Sequence, residues 1–265
     1  MSEMEDPAKL FDLSGKQAII TGAGGGLGTA LCRGFAACGA RIACLDINSD
    51  IAASAVRAAE QCGGEGIPVV CDVSQPDQIK QCIQTTLEAF GHVDILVNLA
   101  GRGILTPATE ISLQQWDHVI NVFLRSTFLF CQAVGKHMIE RGTGSIINVS
   151  SIASLVALGC GVAPYSAAKA GINALTRELA VEWARKGVRV NAIAPCRILT
   201  PPLQEQLDDP STDSEELMAN WTDSIPIGRL GKPEEIVGPA IFLASSASSL
   251  VTGHILAVDG GYTIM

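Results

Sequence analysis

Tyr165 and Lys169 stand four residues apart at the start of a segment with a helical pattern, and together they could do acid–base chemistry. Residues at this spacing share one face of an α-helix, with about 5–6 Å between their Cβ atoms. A free tyrosine has a pKa near ~10 and is a poor base at neutral pH. Because a neighbouring ammonium lowers the pKa of a phenol, the pair could supply a general acid/base. Such pairs also occur as ordinary surface neighbours, so the surrounding elements must decide between the two interpretations.

A glycine-rich segment near the N-terminus could hold a cofactor that carries phosphate. Residues 21–28 read Thr-Gly-Ala-Gly-Gly-Gly-Leu-Gly, and they lie between a predicted strand and a predicted helix. Glycines at such a place permit a tight turn, and the helix N-terminus offers free N–H groups to a pyrophosphate. The position of this loop therefore indicates a dinucleotide site.

Asp46 follows the second predicted strand, about 20 residues beyond the glycine loop, where an acidic side chain would bind the adenosine ribose hydroxyls. A carboxylate there would repel a 2′-phosphate, and the next residues, Ile47 and Asn48, include no arginine or lysine to receive one. This favours NAD over NADP. Alternatively, Asp46 caps the helix that follows, although Asn48 or Ser49 could cap it equally well.

Short apolar runs alternate with longer helical stretches along the chain. The strands are continuously apolar, which is typical of a parallel sheet covered on both faces. Repeated βα units predict a single domain over residues 1–265 with a doubly wound, Rossmann-like sheet of about seven strands and helices on both faces. The predicted strands are 17–21, 40–45, 67–71, 93–98, 145–149, 188–193 and 254–258; the predicted helices are 27–38, an alanine-rich one before the third strand, 76–90, 113–141, 165–186 and 233–244.

Residues 201–225 interrupt this alternation with prolines, acidic residues and no strand pattern. An insertion of this length is either a disordered loop or a lid over an active site. Its apolar side chains favour the lid: Leu203, Leu207, Leu217, Met218 and Trp221.

Composition argues against several other functions. The net charge is −9 and no cluster of Lys or Arg offers a footprint for a phosphate backbone, which argues against nucleic-acid binding. The nine cysteines form no Cys-x-x-Cys pair and the four histidines show no ligand spacing, so we expect reduced thiols and no metal site. No apolar run reaches the ~18–20 residues of a membrane helix, and the N-terminus is acidic where a secretory signal would be basic, so we expect a cytoplasmic protein.

These motifs together resemble the short-chain dehydrogenase/reductase family over nearly the whole chain. The glycine loop matches the family's Thr-Gly-x-x-x-Gly-x-Gly, Asp72-Val73 matches its Asp-Val pair, and residues 98–101 match its Asn-Asn-Ala-Gly turn with Leu99 in place of the second Asn. Residues 195–200 resemble its Pro-Gly-x-Ile-x-Thr segment with Cys196 in place of Gly. The resemblance implies cofactor contacts from Gly22, Gly26, Leu27, Gly28, Asp46, Ile47, Asp72, Val73, Asn98, Ala100, Gly101, Tyr165, Lys169, Pro195, Ile198 and Thr200.

The same resemblance implies a catalytic tetrad of Asn121, Ser151, Tyr165 and Lys169. Tyr165 would exchange a proton with the substrate oxygen, Ser151 would hydrogen-bond that oxygen, and Lys169 would lower the Tyr165 pKa and hold the nicotinamide ribose. Asn121 would support a helix distortion and a water next to Lys169; otherwise it is a buried side chain paired with a carbonyl. From the sequence, Ser150 remains an alternative to Ser151.

Two positions near the nicotinamide segment leave open questions. If position 196 needs a positive φ, the β-carbon of Cys196 would cost about 1–2 kcal/mol, and its thiol is either a reactive group or, as we favour, a buried spacer. Arg102 could meet an anionic substrate group or be a solvated loop charge. The candidate substrate contacts are Arg102, Gly103, Ser154, Leu155, Ala163 and residues 201–225.

The sequence thus predicts an NAD-dependent alcohol/ketone oxidoreductase for a polyol, sugar or hydroxy-acid-like substrate. The alternatives are a 3-oxoacyl-thioester (acyl-carrier-protein) reductase and a catalytically silent NAD-binding protein. Apolar long helices and the family resemblance further predict a homo-oligomer, a tetramer or a dimer.

Overall fold

A computed structural model describes residues 6–210 and 213–265. Seven parallel strands form one sheet in the order β3-β2-β1-β4-β5-β6-β7, so the doubly wound parallel fold is confirmed. Each predicted strand is present, with its ends moved by at most a few residues. The strands are β1 Gln17–Thr21, β2 Arg41–Asp46, β3 Glu65–Val70, β4 Ile95–Asn98, β5 Gly144–Val149, β6 Val188–Pro195 and β7 Ile255–Val258.

Helices cover both faces of the sheet, and two apolar cores lie between the layers. One core joins the sheet to α1, α2 and α9, and the other joins it to α3, α5 and α6. None of the helices in the described ranges is long and apolar enough to cross a membrane. The helices are α1 Gly26–Ala37, α2 Ser49–Glu60, α3 Pro76–Phe90, α4 Leu113–Ile120, α5 Ser126–Arg141, α6 Ala163–Trp183, α7 Pro201–Asp208, α8 Ser214–Thr222 and α9 Glu234–Ala244.

The helix predicted over residues 113–141 is divided by a π-helical turn, Asn121–Arg125, between α4 and α5. Two side chains at the start of α5 bond to carbonyls of this turn: the Ser126 hydroxyl donates to the Val122 carbonyl and the Thr127 hydroxyl donates to the Phe123 carbonyl at 2.7 Å. Hydroxyls that bond to the carbonyl four residues earlier compete with the helix ladder and bend it. The distortion that the family resemblance implies at Asn121 is therefore present.

The region over residues 201–225 contains two helices, α7 and α8, that the sequence pattern did not predict. Thr200 precedes α7, which begins with two prolines, and proline is favoured in the first helical turn. Asp213 caps α8 by accepting a hydrogen bond from the Glu216 amide at 3.0 Å. Both helices are largely polar, which is why their apolar periodicity is weak.

Candidate active site

The carboxyl ends of β1 and β4 meet at the point where the strand order reverses direction, which is where ligands bind in open α/β sheets. Thr21, at the end of β1, accepts hydrogen bonds on Oγ1 from the amides of Leu99 at 2.9 Å and Ala100 at 3.1 Å. One hydroxyl thus joins the glycine loop to the turn that follows β4. The Leu99 amide keeps this bond although the side chain differs from the family's Asn.

Two glycines fit this loop to its neighbours by having no side chain. Gly22 has φ of 67°, and a Cβ added there would lie 2.8 Å from the Ala100 Cα. A Cβ on Gly28 would lie 2.1 Å from the Gly22 carbonyl oxygen. No side chain of the described residues caps α1, so its first amides are free for a ligand. A cavity of about 430 Å³ opens here, lined by the loop together with residues 99–102, Asp46, Thr200, Pro201 and Glu205.

Asp46 lies beside the glycine loop. Its carboxylate accepts hydrogen bonds from the amides of Gly24 at 3.1 Å and Asn48 at 3.3 Å. Asn48 caps α2, because its Oδ1 accepts from the amides of Asp50 and Ile51; the alternative in which Asp46 caps this helix is wrong. A second cavity of about 330 Å³ brings together Gly22, Asp46, Ile47, Asp72, Val73, Ala100 and Gly101, with Cys71, Ser74, Arg102, His118 and Val122. These adjoining cavities and the side-chain-free cradle at Gly28 fit a dinucleotide.

Arg102 belongs to this end of the crevice and not to the substrate end. It lines both cavities that contain Asp46, and it does not line the cavity of Tyr165 described next. The interpretation of Arg102 as a substrate contact therefore has no support in the geometry.

Three of the four predicted catalytic residues line one cavity of about 340 Å³. Ser151 follows β5, and Tyr165 and Lys169 lie in the first turns of α6. The wall also includes Phe123 of the π-helical turn, whose ring meets Tyr165 edge-on at 5.2 Å between centroids. The remaining lining residues are Leu27, Leu99, Gly101, Gly103, Ile104, Leu105, Val149, Ser150, Val162, Pro195, Cys196, Arg197, Ile198, Thr200 and Leu203.

Asn121 and Asn98 do not line this cavity or the two at the cofactor end. Asn121 accepts a hydrogen bond on Oδ1 from Arg125 Nη1 at 3.0 Å, so in this structure it acts on the π-helical turn. Asn98 is buried, and its amide donates to Asn148 Oδ1 at 2.9 Å, which ties β4 to β5.

Lys169 is buried, and its ammonium contacts a backbone carbonyl and an aromatic ring, neither of which carries a full negative charge. Nζ donates to the Val149 carbonyl at 2.5 Å and lies 4.6 Å from the centroid of the Phe123 ring. Burial lowers the pKa of Lys169 to about 7. The side chain can therefore exchange a proton near neutral pH.

The expected lowering of the Tyr165 pKa by Lys169 is not found. Burial raises the pKa of Tyr165, and a hydrogen bond from the Ser151 hydroxyl offsets part of that rise. The physical reason is that the Lys169 ammonium is itself buried, is held by the Val149 carbonyl and lies 5.5 Å from the Tyr165 ring centroid. Ser151, and not Lys169, is the group that favours the phenolate in this structure.

The two serines after β5 differ in their partners. The Ser150 hydroxyl lies 3.0 Å from the Ser154 hydroxyl and donates to the Lys169 carbonyl at 3.3 Å. Ser151 Oγ accepts from the Ala153 amide at 3.2 Å, and its hydroxyl hydrogen-bonds Tyr165, so its proton points into the reacting end of the cavity. The geometry thus favours Ser151 over Ser150 as the donor to a substrate oxygen.

The segment after β6 is fixed by a short pairing with position 231. The Arg197 carbonyl accepts from the Gly231 amide at 3.0 Å, and the Leu199 amide donates to the Gly231 carbonyl at 2.8 Å. Because this pairing uses the groups of its neighbours, the Ile198 amide and carbonyl stay outside it. Among the described residues only glycines have positive φ, so position 196 does not need one and the cost considered for the Cys196 β-carbon does not arise. Burial raises the pKa of the Cys196 thiol, which agrees with a spacer.

The remaining substrate candidates separate into two groups. Gly103 lines the cavity of Tyr165, whereas Ser154, Leu155 and Ala163 line an adjoining open groove. Sequence reasoning missed Arg197, which lines the cavity of Tyr165. Its place inside the Pro-x-x-Ile-x-Thr segment was the available signal. A single arginine in a sequence, however, does not by itself indicate a ligand-binding role.

Comparison with known proteins agrees with this geometry. A family model described as enoyl-(acyl carrier protein) reductase matches residues 22–263. D-threitol dehydrogenase from Mycolicibacterium smegmatis is 43% identical over 257 residues, covering 96% of this chain and 95% of that protein. A short-chain type dehydrogenase/reductase from Mycobacterium marinum has a TM-score of 0.90 at 34% identity, covering 97% of this chain and 99% of that one. Gluconate 5-dehydrogenase from Burkholderia cenocepacia, in complex with NADP and tartrate, has a TM-score of 0.91 at 36% identity, covering 98% of this chain and 100% of that one.

Proposed function

The chain belongs to the short-chain dehydrogenase/reductase family, and we propose that it oxidises a secondary alcohol of a polyol, sugar or hydroxy acid, or reduces the matching ketone, with NAD. It is an oxidoreductase of CH–OH groups that uses a nicotinamide cofactor. The observation that carries the proposal is the meeting of Ser151, Tyr165 and Lys169 in one cavity beside the glycine loop.

The cofactor would lie along the crevice, with its pyrophosphate at residues 22–28, its adenosine end at Asp46, Asp72 and Val73, and its nicotinamide end at Ile198 and Thr200. When bound there, the nicotinamide would supply the hydride acceptor for oxidation at the carbinol carbon and the hydride donor for reduction of the ketone. The remaining steps belong to the protein, which binds the oxygen and moves its proton.

In the oxidation direction, Tyr165 as phenolate takes the proton of the substrate hydroxyl. Ser151 donates a hydrogen bond to that oxygen and stabilises the charge that develops on it. Burial opposes the phenolate, so the charge has to be balanced within the site. The hydrogen bond from Ser151 offsets part of that cost, and Lys169, with a pKa of about 7, can exchange a proton near neutral pH.

The choice of NAD is supported by the Asp46 carboxylate, which would repel a 2′-phosphate. Arg102 lines the same cavity and is a cation that the sequence pattern did not place there. Measuring kcat/KM with NAD⁺ and NADP⁺ on one substrate tests the choice: we expect NAD⁺ to be preferred, and a preference for NADP⁺ would show that Arg102 outweighs Asp46.

A screen for NAD⁺ reduction across threitol, galactitol, gluconate and hydroxysteroids tests the activity. Tyr165→Phe should lower turnover at least about 10³-fold, since it removes the proton acceptor, while NADH binding measured by fluorescence stays intact. Wild-type rates retained by Tyr165→Phe would contradict the mechanism.

Two alternatives are separated by the same assays. A 3-oxoacyl-thioester reductase is suggested by a relative, the 3-oxoacyl-(acyl-carrier-protein) reductase of Thermotoga maritima, which is 38% identical over 252 residues; such an enzyme would reduce acetoacetyl thioesters with NADPH better than it oxidises any polyol. A catalytically silent binding protein would bind NADH tightly and turn over none of the substrates.

We further propose that the chain forms a single domain, that residues 201–225 cover the substrate as a lid, and that the chain assembles as a tetramer or dimer. Large apolar side chains are exposed on the helices α4 and α5 and on α6: Trp116, Phe128 and Val181. Light scattering should give a multiple of the 27.6 kDa chain mass, and a mass equal to one chain would reject the assembly.

A further inference from the structure

We propose that Arg197 binds a carboxylate of the substrate, so that the preferred substrate is a hydroxy acid and not a neutral polyol. The proposal rests on the proposed alcohol dehydrogenase function and narrows its substrate class. Arg197 then acts as a specificity-determining residue at the reacting end of the crevice.

The position of Arg197 is fixed while its side chain is free to meet a ligand. Its carbonyl is held by the Gly231 amide in the pairing after β6. Arg197 lines the cavity of Ser151 and Tyr165, and it does not line either cavity at the cofactor end. This placement favours a group on the substrate over a phosphate of the cofactor.

The guanidinium of Arg197 is not fully paired within the described residues. Its Nη1 is buried and has no hydrogen-bond acceptor among the described residues, and Arg197 takes part in none of the ion pairs found there. The guanidinium carbon lies 5.9 Å from the centroid of the Tyr262 ring, which offers no oxygen or nitrogen acceptor in that contact. A buried donor without an acceptor is costly, so such a group calls for a ligand.

A second arginine, on β6, shows how a guanidinium with a structural role is hydrogen-bonded in this protein. Arg189 donates through Nη1 to the Ser248 hydroxyl at 2.8 Å and through Nη2 to the Ser245 carbonyl at 3.1 Å. Arg197 has no equivalent bonds in the described part of the chain. Arg189 therefore has a structural role, and Arg197 is available for binding.

The charge of the cavity selects an anion. The side chains that line it include two cations, Arg197 and Lys169, and no aspartate or glutamate from the described residues, although the chain carries a net charge of −9. Asp259 is the carboxylate near Cys196, and its oxygens are engaged by the amides of Gly261 and Thr263 and by the Thr263 hydroxyl. A site of this size and sign suits a small carboxylate, which matches the planar fork of a guanidinium.

Matched substrate pairs test the proposal, because each pair differs only in one terminal group. D-threonate is compared with D-threitol, and D-gluconate with D-glucitol. The wild type should show a higher kcat/KM for the acid of at least one pair. Arg197→Gln should lower that value about 10- to 100-fold, as expected when a charge-assisted hydrogen bond is lost, with less than about a threefold change for the neutral partner. Arg197→Lys, which keeps the charge and loses the fork, should fall between them.

Arg185→Gln is the matched control, since it makes the same charge change at an exposed position of the turn after α6. It should leave both members of each pair unchanged. NADH binding by fluorescence and the thermal midpoint of Arg197→Gln show whether the variant keeps its fold and cofactor site.

Calorimetry with tartrate and threitol gives a readout that needs no turnover. The NADH-loaded wild type should bind tartrate more tightly than threitol, and Arg197→Gln should lose that difference. Equal binding of the two ligands by the wild type, or a difference that persists in Arg197→Gln, would overturn the role of Arg197. Turnover of thioesters alone would instead reject the proposed function, and the tartrate measurement would still decide whether Arg197 binds carboxylate.

Discussion

The glycine loop after β1 and the segment after β6 contribute to the same crevice, but they are built in opposite ways. The loop works because side chains are missing, as at Gly28, where a Cβ would lie 2.1 Å from a carbonyl oxygen. The segment works through a side chain that is present, Arg197, whose Nη1 has no partner in the described residues. A cofactor common to many enzymes can be recognised by backbone geometry, whereas a particular substrate needs a particular side chain.

Gly28→Ala should have the largest effect of these substitutions. It adds a side chain to the glycine loop and so removes the main difference between the loop and the segment after β6. The new methyl would push against the backbone at Gly22 and Ala23, and overpacking of this kind costs about 1–3 kcal/mol or more. We expect loss of detectable NADH binding and a lower free energy of unfolding in urea.

Gly238→Ala is the control for that prediction. Gly238 lies in α9 before Pro239, and outside its chain neighbours and its own helix no atom lies within 4 Å of an added Cβ, so alanine should change the unfolding free energy by less than about 1 kcal/mol. If both variants lose stability equally, crowding in the loop is not the cause.

Lys169→Met should stabilise the fold. This would show that the buried charge of Lys169 in the cavity of Tyr165 lowers the unfolding free energy. The folded-state pKa of about 7 lies below the ordinary value of 10.5, so the unfolded chain binds more protons between these values. The unfolding free energy of the wild type therefore rises as the pH rises from about 7 towards about 10.5.

The gain from Lys169→Met should be a few kcal/mol at about pH 6 and should shrink as the pH approaches 10. Urea denaturation at about pH 6 and about pH 9 measures it, with Lys186→Met, at a half-exposed position, as the control. A gain that does not change with pH would mean that the charge of Lys169 is not the source.

Asp46→Ala should change the cofactor preference by about 10- to 100-fold, since it removes the carboxylate that opposes a 2′-phosphate next to Arg102. The ratio of kcat/KM with NAD⁺ to that with NADP⁺ measures the change. Asp50→Ala, in the first turn of α2, should leave the ratio as in the wild type, and an equal shift in both variants would point to general charge and not to position 46.

Cys196→Gly should have the smallest effect. It removes a side chain from the segment after β6, which is the opposite change to the one at Gly28. No described residue other than glycine has positive φ, so the substitution relieves no strain. Added flexibility should cost about 0.5–1 kcal/mol of unfolding free energy, measured by urea titration. A stabilised variant would indicate backbone strain at this position.

The sequence predicted the regular parts of the fold because they depend on local patterns. α3 begins at Pro76 and ends at Phe90 as predicted, with a proline in its first turn and Gly91, at φ of 79°, after its end. The seven strands followed from continuous apolar runs. The position of Asp46 at the end of β2, beside the glycine loop, also followed from the strand pattern.

The rest could not be predicted because it depends on contacts between distant or unpatterned residues. The π-helical turn follows from hydroxyl–carbonyl bonds at Ser126 and Thr127, which apolar periodicity does not register. α7 and α8 are too polar to show a core-facing stripe. The Tyr165 pKa depends on burial and on the hydrogen bond from Ser151, and the spacing of Tyr165 and Lys169 did not contain that information.

The pairing of Arg197 and Leu199 with Gly231 has a consequence for how such enzymes diverge. It holds the backbone through atoms that every residue type possesses, so position 197 can accept new side chains by single mutations without moving Ile198 or Thr200 at the nicotinamide end. A lineage could thereby exchange one substrate for another while the cofactor site stays under unchanged selection. The substrate preference of this chain would then depend on one side chain and could change by a single substitution.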